Sequence, residues 1–216
     1  MIEFHKVTVK RQNNKGINGI SFNIKKGRFV YLMGPTGAGK STIIKSILRS
    51  VDISGGKILV SGDDISKFKK SELASYRREI GMIFQDFKLL NDRTIFENIA
   101  LPLYLLGTSN DIVVQKVNDV LSKVGLTNRK NMFPFELSGG EQQKICVARA
   151  IIKKPKIILA DEPTGNLDPS ASDDIIDLLE TESENGTTII MATHNYPLIE
   201  NRIKYFIEIN DGKLIA

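Results

Sequence analysis

Gly34-Pro35-Thr36-Gly37-Ala38-Gly39-Lys40-Ser41 follows the pattern G-x-x-x-x-G-K-[ST], with Thr42 directly behind it. Residues of these types at this spacing wrap a chain of phosphates. Backbone N–H groups of Gly37 to Lys40 curl around the anion, and Lys40 adds a point charge for the β- and γ-phosphates. The Ser41 hydroxyl is a hard oxygen ligand for Mg²⁺. The flanks agree. Phe29 to Met33 is a short apolar run rich in β-formers, and Ile43, Ile44, Ile47 and Leu48 fall on one helical face. Strand, glycine loop and helix form the context that separates a working phosphate loop from a chance match.

A second anion site lies far along the chain, in Leu137-Ser138-Gly139-Gly140-Glu141-Gln142. Ser138 and Glu141 have the S-x-x-E spacing of a capping box, which predicts a helix running through Ala148 and Ala150. Gly139 and Gly140 leave the N–H groups of that helix start uncovered, so a phosphate can approach closely. This stretch is expected to bind nucleotide without serving the one held by its own polypeptide. The two anion sites would then meet across a dimer.

Other polar residues stand at the ends of strand-like runs. Ile157 to Ala160 leads into Asp161-Glu162, the pattern of a buried parallel strand whose carboxyl edge faces a ligand. Asp161 is placed to hold Mg²⁺, directly or through water, and Glu162 to act on the attacking water as general base or orienter. Gln85 follows Ile80 to Phe84, from which its amide would reach Mg²⁺ or that water. His194 ends the buried run Thr187 to Thr193, where a neutral imidazole can bond the γ-phosphate. Asn166-Leu167-Asp168 reads as a polar turn before a helix, with Pro169 suited to its first position. Taken singly, Gln85 and Asp168 read first as a loop amide and a helix N-cap, and a lone histidine at a strand end as structural.

In this order the pieces resemble the nucleotide-binding subunit of ATP-binding cassette (ABC) systems over nearly the whole chain, from Ile2 to about Leu214. The resemblance implies an α/β P-loop NTPase fold with a RecA-like core, an antiparallel β lobe and an α-helical lobe. It also implies ATP and Mg²⁺ as ligands, and a homodimer in the ATP-bound state. Each γ-phosphate would lie between one chain's Lys40 and the other's Ser138 and Gly140, an isologous contact closed by ATP and loosened by hydrolysis. Gly139, Glu141 and Asp168 match the same family motifs. Within the family, Phe84 to Leu90, Asn91 to Thr94, Asn98 to Leu103 and Ala192 to Asn195 look most like the cassettes of bacterial cell division. That branch implies an FtsX-like integral membrane protein as partner and a role in transmitting motion to cell-wall hydrolases. Cassettes of lipoprotein-release or efflux transporters share Asp161 to Asp168 and form the first rival reading. A nucleotide-gated interaction module with negligible turnover is the second; intact Lys40, Asp161, Glu162 and His194 argue against it.

One position departs from the family. An aromatic residue near the end of the first strand usually stacks on adenine, but Val7 to Gln12 contains none, and Arg11 stands about where it is expected. A planar guanidinium can stack on the base; an arginine facing solvent is the alternative.

Composition sets the frame. The chain has 216 residues, enough for one compact domain with a sizeable core. The reading is a single nucleotide-binding domain over residues 1–216, with a helical lobe at about 87–152 inserted in the ATP-binding core. Thr94 and Glu97 predict a capped helix there, and Val113, Val117, Val120, Leu121 and Val124 a second, stopped by Gly125. Asp211-Gly212 predicts a hairpin turn. No leader and no apolar run long enough to span a bilayer stand out, so the expected location is cytoplasmic, held at the inner face of the membrane through the partner. The lone Cys146 excludes an internal disulfide and reads as a core side chain. The net charge of +5 is spread over short clusters without aromatic interleaving, so no specific nucleic-acid partner is expected. Phe87, Leu89 and Leu90 after Gln85 form a candidate groove for a helix of the membrane partner, or else pack within the helical lobe.

Overall fold

A computed structural model describes residues 1–10, 16–202 and 205–215, so Arg11 lies outside the described residues. In chain order the elements begin with β1 (Ile2–Lys10), β2 (Gly16–Ile24), β3 (Phe29–Met33), α1 (Lys40–Ile47), β4 (Gly55–Val60) and β5 (Asp63–Asp64). Next come α2 (Lys70–Arg78), β6 (Ile80–Phe84), α3 (Ile95–Tyr104), α4 (Asn110–Lys123) and α5 (Gly139–Ile151). The chain closes through β7 (Ile157–Asp161), α6 (Pro169–Glu184), β8 (Thr188–Thr193), α7 (Tyr196–Ile199), β9 (Phe206–Asn210) and β10 (Lys213–Leu214). β1, β2, β4 and β5 form an antiparallel sheet in the order β2-β1-β4-β5. The other sheet runs β10-β9-β3-β8-β7-β6, parallel from β9 to β6, with β10 turning back on β9.

Strand alternation sorts the interior into two cores. Every residue of β8 is buried, as expected for a central parallel strand covered on both faces. Along β7, Ile157 and Leu159 join the core shared with α1 and the antiparallel sheet, while Ile158 and Ala160 join the core of α3 to α6. Val30 and Leu32 of β3 face the first core and Tyr31 the second. The six-stranded sheet is therefore a partition whose two faces are coated by different lobes.

Local signals agree with the elements. Thr94 caps α3, its hydroxyl accepting from Glu97 N while Glu97 reaches back to Thr94 N. α4 stops before Gly125, whose φ of 75° is a conformation glycine adopts without strain. Asp211 and Gly212 both have positive φ, at 44° and 72°, which makes the tight turn joining β9 to β10. No described helix is long and apolar enough to cross a membrane.

Asn98 of α3 ties the loop after β6 to the helical lobe. Its side chain is fully buried, accepts from Leu90 N (2.8 Å) and donates to the carbonyls of Leu90, Arg93 and Thr94. Removing the amide strands those backbone groups out of water. Asn98→Leu, close to it in volume, is therefore expected to lower the unfolding free energy by about 1–3 kcal/mol. The measurement is the urea midpoint at unchanged slope, and a midpoint equal to the parent's would mean the loop finds other partners.

Candidate active site

The phosphate loop bridges β3 and α1. Gly34 (φ 144°) passes so close to β9 that a Cβ there would stand 2.1 Å from the carbonyl oxygen of Ile209. At Gly37 (φ 85°) a Cβ would meet nothing within 4 Å, so the missing side chain there leaves room for a ligand. Gly39 (φ 114°) caps α1 with no side-chain bond, leaving the first N–H groups of the helix free. The loop's floor comes from the far hairpin: Gly212 N donates to Ala38 O at 2.9 Å. A cleft of about 1070 Å³ opens over this loop, lined among others by Gly37, Gly39, Lys40, Ser41, Thr42, Gln85, Asp161, Glu162 and Asn166.

Parallel register delivers the reactive groups to that cleft. Met33 pairs with Thr193 and Asp161 with Ala192, so β3, β7 and β8 end at nearly one level. Lys40 is 4 % exposed, and its ammonium donates to the carbonyls of Gly34 (2.8 Å) and Pro35 (3.1 Å) while standing 3.4 Å from Glu162 Oε1. His194 Nδ1 lies 3.0 Å from the other oxygen, Oε2, of the same carboxylate. The tautomer with hydrogen on Nδ1 donates there and leaves Nε2 as an acceptor. Glu162 itself is a non-glycine residue with a φ of 50°, anchored by its N–H to Ala192 O at 3.0 Å. Backbone of that kind persists where the surroundings over-determine it, and it clusters at functional sites.

Ser41 Oγ donates to Asp161 Oδ1 at 2.9 Å. Burial raises the Asp161 pKa above its ordinary value; the Ser41 hydrogen bond opposes that, the neighbouring Glu162 charge adds to it, and Lys45 and Lys40 oppose it. The fit to a hard divalent cation follows from the donor set. A hydroxyl, a carboxylate and the nearby Gln85 amide offer oxygen, while no group of three or more His, Cys, Asp or Glu able to hold a metal occurs among the described residues. Such a partial shell suits Mg²⁺, which keeps waters and substrate phosphates rather than entering an all-protein cage. Gln85 is exposed, and its side chain lies over Gly165, where a Cβ would come within 2.9 Å of Nε2. Asn166 Nδ2 donates to Gln85 O at 3.2 Å.

The Ser138–Gln142 stretch does not reach this cleft within the chain; none of its residues lines it. Ser138 caps α5, accepting from Glu141 N, while Glu141 Oε2 accepts from Ser138 N at 3.0 Å. Glu141 is held further by Arg129 Nε at 2.9 Å, and these bonds, that of the Ser138 backbone first, lower its pKa against a smaller opposing effect of burial. Gly139 has ample space around it, the nearest atoms lying 3.8 Å from a would-be Cβ, whereas at Gly140 that atom would press on Ala171 at 3.0 Å. Asp168 is exposed and caps α6 through Ala171 N at 3.0 Å. Phe87 and Leu89 pack partly against the helical core, and Leu90 is 43 % exposed.

Sequence reading passed over two contributors. Lys45 lines the cleft and lowers the Asp161 pKa; its place one helical turn after Ser41 was the available signal. Gly165, over which the Gln85 side chain lies, carries no spacing rule of its own; Asn166 was read only as part of the polar turn before α6.

Comparison with known proteins places the architecture. The family model described as ABC transporter matches residues 17–165. The chain is 44 % identical over 216 residues to the cell division ATP-binding protein FtsE of Streptococcus pneumoniae strain R6, covering 100 % of this chain and 94 % of that one. It is also 44 % identical over 215 residues to FtsE of Escherichia coli K12, covering 99 % and 97 %. Among solved structures, the dimeric post-hydrolysis state of the ATP-binding cassette MJ0796 bound to ADP and Pi superposes with a TM-score of 0.90 at 31 % identity, covering 100 % of this chain and 97 % of that one. CbiO1 of Clostridium perfringens, part of the ABC transporter complex cbiONQ, gives 0.91 at 25 % identity, covering 100 % and 86 %. The chain therefore belongs to the ABC transporter family, as an ATP-binding and ATP-hydrolysing subunit.

Proposed function

We propose that the chain is the ATP-driven half of a cell-division complex, closing on a second copy of itself when ATP binds and moving an FtsX-like membrane protein that controls cell-wall hydrolases. One observation carries the dimer: a built phosphate cleft and a second glycine-opened helix start share one chain but not one site. The FtsE relatives, matched over nearly their full length, support the cell-division assignment.

In this reading the N–H groups of Gly37 to Lys40, with Gly34, Pro35, Thr36, Ala38 and Thr42 shaping the loop, cradle the phosphates. Lys40 leaves the Gly34 and Pro35 carbonyls to neutralise the γ-phosphate. Ser41, Asp161 and Gln85 hold Mg²⁺, which supplies charge neutralisation at the phosphates when bound. Glu162 takes or orients the proton of the attacking water, and His194 turns a ring N–H from the Glu162 carboxylate to donate to the γ-phosphate. Ser138, Gly139 and Gly140 come from the second copy as donors, with Glu141 fixing their helix start and Asp168 lying at the seam. Arg11 is the candidate for stacking on adenine.

The membrane partner would seat on apolar side chains around the end of α3. Leu101, Tyr104, Leu105 and Leu106 are 37 to 58 % exposed, and Leu90 and Ile112 are exposed as well. Four large apolar residues left in water at the end of α3 suit a helix-in-groove contact. Such a partner would hold the chain at the inner face of the membrane.

Glu162→Gln keeps the size and removes the charge. It is expected to retain ATP binding, slow turnover by about 10²-fold or more, and elute as a dimer only with ATP. Parental turnover, or a monomer under conditions where the parent dimerises, overturns the role of Glu162.

Asp161 gives a pH prediction. Burial makes the folded chain hold this proton to higher pH than the unfolded chain, so its charge costs stability as pH rises through that interval, and the cost persists above it. Asp161→Asn should therefore raise the melting temperature of the nucleotide-free protein in EDTA at pH 8 and abolish the Mg²⁺-dependence of ATP affinity. A lower melting temperature would refute the burial argument.

For the partner, Leu105→Glu is expected to cut recovery of the co-purifying membrane protein by about tenfold without shifting the melting temperature. Recovery of a transporter permease in place of an FtsX-like protein would overturn the cell-division assignment in favour of a lipoprotein-release or efflux system.

A further inference from the structure

One stripe of α5 grips the backbone on both sides of Gln85. Gln143 Nε2 donates to Phe84 O (3.3 Å) and Pro163 O (2.6 Å), ahead of the glutamine. Beyond it, Cys146 Sγ donates to Phe87 O at 3.0 Å, and Arg149 donates to Lys88 O at 2.6 Å and Phe87 O at 2.8 Å. Residues 143, 146 and 149 recur at the three-residue spacing of one helical face.

The gripped segment cannot hold its shape unaided. Phe87 and Lys88 are consecutive non-glycine residues with φ of 58° and 51°, a sparsely populated conformation that survives only where neighbours fix it. Arg149 is costly in its place. Burial lowers its pKa, and among the described residues its hydrogen bonds go to these two carbonyls rather than to a carboxylate. An apolar side chain would fill the same space without a desolvated charge, so the planar two-armed donor is what the position uses.

The N-terminus of this same helix carries Ser138, Gly139 and Gly140. We propose that Arg149, supported by Cys146, is a positioning residue that ties the Gln85 loop to α5, so that seating Ser138 to Gly140 on the second copy's nucleotide moves Gln85 in its own site. This rests on the paired-cassette reading above. A helix moves nearly as a rigid body, and a strained loop hydrogen-bonded along its flank follows it. Arrival of the partner's nucleotide at one site thereby sets the amide of the other.

Hydrogen exchange of residues 85–90, measured with and without ATP in the Glu162→Gln background, reads the tie directly. With Arg149 intact, closure is expected to slow exchange there by about tenfold or more. Arg149→Met in that background should still dimerise with ATP, yet change exchange in the loop less than about twofold. Adding Lys88→Gly separates strain from tether, because glycine accepts the left-handed backbone unsupported. The double variant is expected to recover melting temperature but not the ATP response of the loop, and its turnover with Glu162 restored should stay about tenfold down in kcat at unchanged ATP affinity. A loop that still slows on closure in Arg149→Met, a glycine that restores the response, or loss of dimerisation in Arg149→Met alone would each overturn the proposal. Failure of Glu162→Gln itself to dimerise with ATP would instead sink the paired-cassette reading on which it rests.

Discussion

Parallel pairing of β3, β8 and β7 brings the ends of three strands flush, and every reactive contact in the cleft depends on that alignment. β3 feeds the phosphate loop and Lys40, β7 ends in Asp161 and Glu162, and β8 ends beside His194. Slipping one strand by a single residue would turn its side chains to the opposite face and part the Glu162 carboxylate from Lys40 or His194. The two apolar cores pin the register from both sides. The left-handed backbone at Glu162, worth about 1–3 kcal/mol of strain in a non-glycine residue, is held by the same arrangement through the Ala192 carbonyl.

The contacts Lys40 makes here exclude the role proposed for it at the γ-phosphate. In the structure its ammonium is spread over two loop carbonyls and one carboxylate oxygen, which compensates a cation that is almost fully buried. In the proposed mechanism a γ-phosphate would compete for the same donors with more charge. Arrival of that anion would then free Glu162 from Lys40, so binding would itself reorganise the groups placed to act on water. The glycine loop is braced from outside: Gly212 N donates to the carbonyl of its Ala38, and its Gly34 passes close to the Ile209 carbonyl.

Much of this was legible in residue types. The phosphate loop, the Ser138–Glu141 and Thr94–Glu97 caps, the buried runs that become β6, β7 and β8, and the Asp211-Gly212 turn each express a local rule, and local rules survive folding. What escaped depends on residues distant in sequence. Nothing around Arg149 announces that it bonds Phe87 and Lys88, and nothing in Phe87 or Lys88, neither of them glycine, predicts a left-handed pair. Phe87 and Leu89 looked like a partner surface because sequence shows apolarity but not what covers it. In the fold both pack partly on the helical core, while Leu101, Tyr104, Leu105 and Leu106 at the end of α3 are left exposed.

The contact between the β9–β10 turn and the phosphate loop has a consequence for biosynthesis. The ribosome makes Gly34 to Ser41 early, yet the carbonyl of Ile209 and the N–H of Gly212 that brace the loop emerge only after nearly all of β1 to β9 has been made. A nascent chain can form the β3 run and the start of α1 and still lack the wall that gives the glycines their shape. The braced shape of the phosphate loop is thus complete only once the late hairpin has docked against it.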